Sequence, residues 1–128
     1  MDTRFPKEER LKSKKLIDLL FQEGKSIKAY PLRLMYLETQ LPKVETNIQL
    51  GVSVPKRIHK KAVDRNRLKR LLRTAYRHHK KLIDTKGTTF VMLIVFLDRN
   101  MISQDEMNKA VVKLLKQFNY EISKTNPA

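Results

Sequence analysis

Cysteine is absent from the 128 residues of this chain. That excludes disulfides and thiolate metal sites, and it suits a cytoplasmic protein. Acidic residues are scarce: 13 Asp and Glu stand against 28 Lys and Arg, for a formal net charge of +15. Long apolar runs are lacking as well. The longest, Phe90 to Leu97, falls far short of the about 20 residues that a membrane-spanning helix needs. Met1 to Arg10 carries charges of both signs and no apolar stretch, unlike a secretory signal. No Gly-rich phosphate loop and no serine-nucleophile motif occurs in the chain. Of the histidines, His78 and His79 are neighbours on a predicted helix, so they point about 100° apart and do not clamp one metal. His59 sits in a basic turn, where we expect it to be solvated or to face a polyanion. Asp98, Asp105 and Glu106 cluster only loosely, and the last two read better as first-turn helix charges. We therefore expect no catalytic residue and no metal site in the protein itself.

What is present fits one domain over residues 1–128, with 1–9 and 122–128 as flexible termini. Ser13 caps a first helix in which Leu16, Ile17, Leu20 and Phe21 fall at helical spacing, and Gly24 ends it. A strand is expected near Leu32 to Glu38, where Leu32, Leu34 and Tyr36 alternate with Arg33, Met35 and Leu37. Pro42, Lys43, Glu45, Thr46 and Asn47 mark a polar connection. Next, Ile48, Leu50, Val52 and Val54 alternate with Gln49, Gly51 and Ser53, a period of two. Gly51 and Ser53 make that second face flat, open to something approaching the backbone.

A long helix is expected from Lys61 or Ala62 to about Ile83. Leu68, Leu71, Leu72, Ala75, Tyr76, His79 and Leu82 or Ile83 form its apolar stripe. Thr88 to Leu97 reads as a central strand covered on both faces. Ser103 and Glu106 form a capping box for a last helix that buries Met107, Ala110, Val111, Leu114, Leu115 and Phe118. With two short strands around Tyr30 to Glu38 the order is αβββαβα; with one it is αββαβα. Either is an α+β fold, a two-layer sandwich with helices packed on a mainly four-stranded sheet.

The charge is concentrated. Lys56, Arg57, Lys60, Lys61, Arg65, Arg67, Lys69, Arg70, Arg73, Arg77, Lys80 and Lys81 face a single acid, Asp64, between positions 56 and 81. Arg65, Lys69, Arg73 and Arg77 recur every four residues, as a row on one helix face. Like charges at that spacing repel, and a phosphate backbone offsets the repulsion by contact and counterion release. Asn66 adds an amide able to bond a phosphate or a 2′-hydroxyl. Nucleic acid is the leading partner class. An anionic membrane surface and a merely solvated basic face are the alternatives, and a ribosomal-type RNA-binding protein would share the charge and the size.

The stretch Lys56 to Arg77, KRIHKKAVDRNRLKRLLRTAYR, resembles the RNR signature of the bacterial ribonuclease P protein family. The matching positions are Lys56, Arg57, Lys60 and Lys61, then Arg65-Asn66-Arg67, Lys69-Arg70 and Arg73, with Arg77 beyond them. Leu50 to Val54 resembles the family's strand ahead of the motif. Arg10-Leu11-Lys12, with a helix ending Phe21-Gln22-Glu23-Gly24, resembles its N-terminus. The resemblance covers about Arg10 to Phe118. It implies an αβββαβα fold with a left-handed βαβ crossover. It further implies an RNR region that binds a catalytic RNA, which performs the hydrolysis with Mg²⁺, and a cleft for the 5′ leader of precursor tRNA between the first helix and the sheet. By this resemblance Ile17 and Phe21 on the first helix and Arg99 after the last strand are cleft residues. Single strands bind aromatic platforms beside a basic groove. Phe21 and Tyr36, with Met35 as a further candidate, are therefore expected to line it, plain core packing being the alternative for each. Ser53 adds its flat strand face. No membrane and no obligate protein partner is implied. Two departures stand out: the first helix presents Ile17 and Phe21 where the family often has two aromatics, and Leu97-Asp98-Arg99 offers a single cation after the last strand.

Overall fold

The computed structural model of the chain describes residues 10–39 and 47–125. Pro42, Lys43, Glu45 and Thr46 of the expected connection lie outside these residues, as do the termini 1–9 and 126–128. Strands β1 (Lys25–Ala29), β2 (Leu32–Glu38), β3 (Ile48–Ser53) and β4 (Phe90–Phe96) form one sheet in the order β1-β2-β4-β3. β2 pairs antiparallel with both β1 and β4, whereas β3 and β4 run parallel. Parallel neighbours need a crossover, and α2 (Ala62–His79) supplies it. With α1 (Lys14–Glu23) and α3 (Gln104–Thr125) the order is αβββαβα.

Local sequence explains the element ends. The Ser13 hydroxyl accepts the Leu16 N–H at 3.2 Å and caps α1. At the other end the Gly24 N–H reaches the Leu20 carbonyl at 2.8 Å. A Cβ on Gly24 would stand 2.3 Å from that oxygen, so the chain leaves the helix here only as glycine. β1 starts at the next residue. Ile27 is its one large apolar side chain, so its pairing with β2 defines it more than its own pattern does. α2 ends at His79 rather than Ile83, because its last turn tightens into a 3-10 turn over Lys80–Leu82. Ile83 still packs on the core, while Leu82 is exposed. The expected capping box is in place: Glu106 N–H donates to the Ser103 hydroxyl and Ser103 N–H to the Glu106 carboxylate, each at 3.1 Å. α3 continues to Thr125, with Ile122 packed on the core.

Alternation divides the sheet into two unlike faces. On one face Leu34, Tyr36, Met92, Ile94 and Phe96 meet Leu68, Leu72 and Tyr76 of α2 and Val111, Leu115 and Phe118 of α3. On the other face a smaller cluster of Met35 and Val91 is covered by Leu20 of α1 and by Leu11, with Leu16, Ile17, Leu37 and Leu93 around it. Leu11 reaches that cluster because the segment ahead of α1 runs along the free edge of β3, where the Leu11 N–H bonds the Leu50 carbonyl at 3.0 Å. At Gly51 the close approach is made by the chain itself. A Cβ there would lie 3.2 Å from Leu93 Cδ1 and 3.6 Å from Leu11 Cβ, so the flat spot seats the chain's own Leu11.

Candidate nucleic-acid interface

Between β3 and α2 the chain makes a tight basic turn. The N–H groups of Ile58 and His59 both donate to the Pro55 carbonyl at 3.1 Å. His59 is only 6% exposed, and its Nε2 lies 2.7 Å from the Asp98 carbonyl. A carbonyl oxygen only accepts, so Nε2 carries the proton. The ring also stands against Phe96, centroids 5.9 Å apart. His59 is therefore a buried anchor that ties the turn to the end of β4, and not the solvated group expected from its neighbours. Arg65 holds the turn from the other side: its Nη1 donates to the carbonyls of His59 at 3.0 Å and Lys60 at 2.8 Å. Around these internal tethers Lys56, Arg57, Lys60 and Lys61 are all exposed.

On α2, burial of Leu68, Leu72, Ala75 and Tyr76 turns the opposite side outward. Asn66, Arg67, Arg70 and Arg73 are exposed there, while Lys69 and Arg77 are half-buried. The predicted row of four cations is thus uneven: Arg65 serves the turn, Lys69 and Arg77 lie at the margins, and Arg73 faces solvent. His79 Nδ1 donates back to the Ala75 carbonyl at 2.8 Å and His78 is exposed. Among the described residues no three His, Asp or Glu side chains converge as metal ligands. Asp98 is committed to a turn, accepting the Asn100 N–H at 2.9 Å.

The expected cleft is assembled in part. Ile17 lies half-buried over the α1-side cluster and Phe21 on the same helix is 58% exposed. Ser53 sits near the end of β3, with the alternation of Gly51, and so on this same face. Arg99 is exposed just beyond β4, at the sheet end shared with Ser53. Tyr36 does not belong with them. It is 6% exposed and faces α3, edge-on to Phe118 at 5.1 Å and to Phe90 at 6.1 Å. Burial, reinforced by the Glu121 carboxylate, raises its hydroxyl pKa above the ordinary 10.0. The β2 residue that does face α1 is Met35. Lys28 and Arg33, overlooked as site candidates, lie exposed on that face too, and the signal was the shared parity of Arg33 with Met35 and Leu37.

Comparison with known proteins fits this geometry. A family model described as Ribonuclease P matches residues 5–119. A ribonuclease P protein component of Porphyromonas gingivalis is 44% identical over 78 residues, which is 61% of this chain and 56% of that protein. The chain thus spans about half the length of the first curated relatives it matches. One from Dictyoglomus turgidum is 31% identical over 112 residues, covering 88% of this chain and 87% of that protein. Among solved structures, the RNase P protein from Thermotoga maritima superimposes with a TM-score of 0.69 at 24% identity, over 85% of this chain and 96% of that one. The Staphylococcus aureus RNase P protein gives 0.66 at 18% identity, over 86% and 94%. At those identities the solved structures speak for the fold, and the fold is shared. By its sequence match across most of its length, the chain belongs to the ribonuclease P protein family.

Proposed function

We propose that the chain is the protein subunit of a bacterial ribonuclease P. In this reading it binds the catalytic RNA through the basic turn and the outer face of α2, and it holds the 5′ leader of precursor tRNA in the cleft between α1 and the sheet. Its work is to position both RNAs for endonucleolytic removal of the leader, in the cytoplasm. The observation that carries the reading is the basic turn. Buried His59 and inward-turned Arg65 fix the turn's backbone, so the backbone that carries the outward cations does not have to be ordered on binding. A preorganised set of donors loses less entropy on binding than a floppy one. Arg67, Arg70 and Arg73 suit bidentate phosphate contacts, Lys56, Lys60, Lys61 and Lys69 act as point charges, and Arg57 and Arg77 extend the patch. Asn66 adds a neutral donor and acceptor. Arg65 acts mainly by positioning. Phe21 offers a stacking surface on the α1 wall, one helical turn from Ile17, and Ser53 and Arg99 belong to the far end of the sheet side. In this reading Mg²⁺ is held mainly by the RNA subunit.

Reconstitution tests this. The protein with the catalytic RNA is expected to cleave precursor tRNA at the mature 5′ end, and the protein alone with Mg²⁺ to cleave nothing. If about six phosphates are neutralised, log K for the RNA subunit should fall with log salt at a slope of about −4 to −5. A nearly flat slope, or robust cleavage by RNA-free protein after nuclease controls, overturns the proposal.

A further inference from the structure

Lys28 and Arg33 occupy directly opposed positions of the β1–β2 ladder. Like charges facing each other across an antiparallel pair are destabilising, and here both side chains are exposed on the α1 side of the sheet. The register extends the pair into a row. Arg33 is opposite Val95, and Val95 is opposite Ser53. One line of residues therefore crosses all four strands, ~14 Å from end to end at the usual strand spacing. Past Ser53 the chain turns through Val54 and Pro55 into Lys56 and Arg57. The row thus has cations at both ends and a neutral floor of Val95 and Ser53 between them. Among the described residues, no strand residue on this face is Asp or Glu: Glu38 belongs to the opposite parity, with Tyr36.

Arg33 is also held in place. Its Nε donates to the Ser26 hydroxyl at 2.8 Å, a diagonal neighbour on the same face. That bond orients the guanidinium and leaves both terminal nitrogens to donate elsewhere. α1 covers the other part of the face through Leu20 over Met35 and Val91, so the row remains accessible. Tyr30, at the hairpin turn next to this pair, is 62% exposed.

We infer that the β1–β2 hairpin is a second RNA-binding edge of the cleft, in which Arg33, with Lys28 opposite it, grips the backbone phosphates of a single-stranded RNA segment crossing the sheet. The inference rests on the leader cleft proposed above and gives it a far wall. Single strands are held where a cationic groove tracks the backbone beside aromatic surfaces. An anion between Lys28 and Arg33 also relieves their repulsion. The row directs the strand from the basic turn across Ser53 and Val95 toward the hairpin, so the hairpin meets leader nucleotides farther from the cleavage site than those near the turn.

The test uses reconstituted holoenzyme and equilibrium affinities for precursor tRNA with a long leader, with a short leader, and for mature tRNA. Arg33→Met should weaken only the long-leader substrate, by about three- to tenfold, the range of one charge-assisted contact at a partly hydrated surface. It should also reduce the salt slope for that substrate by about one unit. Ser26→Ala, which keeps the charge and removes its tether, should show a smaller loss of the same kind, and Arg33→Lys should retain most of the affinity. Thermal melts check folding, with Arg33→Lys as the informative variant should Arg33→Met melt early. Phe21→Leu separates the two ideas. If Phe21→Leu is leader-selective and Arg33→Met matches the unmodified protein, the hairpin edge is wrong and the cleft stands. If Arg33→Met is leader-selective and Phe21→Leu is not, the hairpin edge stands and the α1 wall is wrong. Equal weakening of mature and precursor tRNA by Arg33→Met overturns the inference.

Discussion

On the α2–α3 side of the sheet, Tyr36, Phe90 and Phe118 meet edge to face and none is more than 6% exposed. One residue along the same strands, on the α1 side, Met35 and Val91 are buried but Lys28 and Arg33 are not. The first face encloses nearly all of the large apolar side chains, and so carries most of the burial that opposes the chain's conformational entropy and its self-repulsion at +15. The second has only a small apolar patch and is left partly uncovered. A chain with so little acid can keep such a surface because the closed face is complete without it. On the sheet, the stabilising residues and those proposed to face the leader are thus separated by strand parity.

The largest expected effect tests that separation directly. Phe118 is fully buried, with ring centroids 5.1 Å and 5.3 Å from Tyr36 and Phe90. Phe118→Ala should cost about 3–5 kcal/mol of stability, removing both buried area and two aromatic contacts. Phe21→Ala, on the other face, should change stability by no more than about 0.5 kcal/mol. Denaturant melts of the two variants measure this. Comparable losses would mean that α1 belongs to the same cooperative core and that the α1 face is not spare surface.

A middle-sized effect sharpens the comparison within the basic region. Arg70 is exposed on α2, whereas Arg65 is spent on the turn carbonyls. Arg70→Ala should reduce affinity for the catalytic RNA by about ten- to a hundredfold if the contact is fully engaged, with no change in melting temperature. Arg65→Ala should reduce both, because the turn loses two bonds and its cations lose their fixed spacing. Affinity measured beside thermal melts separates the two patterns. A change in affinity alone for Arg65→Ala would return it to the RNA-contacting set.

Much of this was legible in the sequence because it is local. The Ser13 cap, the Ser103–Glu106 box, the alternation of β3 and the apolar β4 each depend on neighbours a few residues apart, and each is found where expected. The concentration of cations from Lys56 to Arg77 is equally local. What depended on distant partners was not legible. His59 is buried by a carbonyl 39 positions away, and nothing beside it in the chain announces that. β2 is apolar on both faces, so its alternation separates Tyr36 from Met35 without saying which one meets α1. β1 is too short and too polar to show itself except through β2. The same alternation did hold the clue to Arg33, whose parity with Met35 needs only the position of α1 to become meaningful.

The smallest effect concerns Tyr36 and checks its removal from the cleft. Tyr36→Phe keeps the ring and its edge-to-face contacts with Phe118 and Phe90, so near neutral pH the stability should change by at most about 1 kcal/mol. Alkaline pH should distinguish the variant. Burial first, and the Glu121 carboxylate second, raise the folded-state pKa above 10.0. In the unfolded chain the phenol ionises near its ordinary value, so the unfolded state releases its proton first. The stability this group contributes is then fully present below that value and is lost as pH rises toward the folded pKa. Tyr36→Phe has nothing to ionise there, so it should lose less stability than the unmodified protein between about pH 9 and 11. Denaturant melts across that range, compared at equal salt, measure the difference in slope. At neutral pH the variant should bind long-leader precursor tRNA as tightly as the unmodified protein. A leader-selective loss for Tyr36→Phe would put the hydroxyl back in the cleft, and the parity assignment of β2 would have to be reversed.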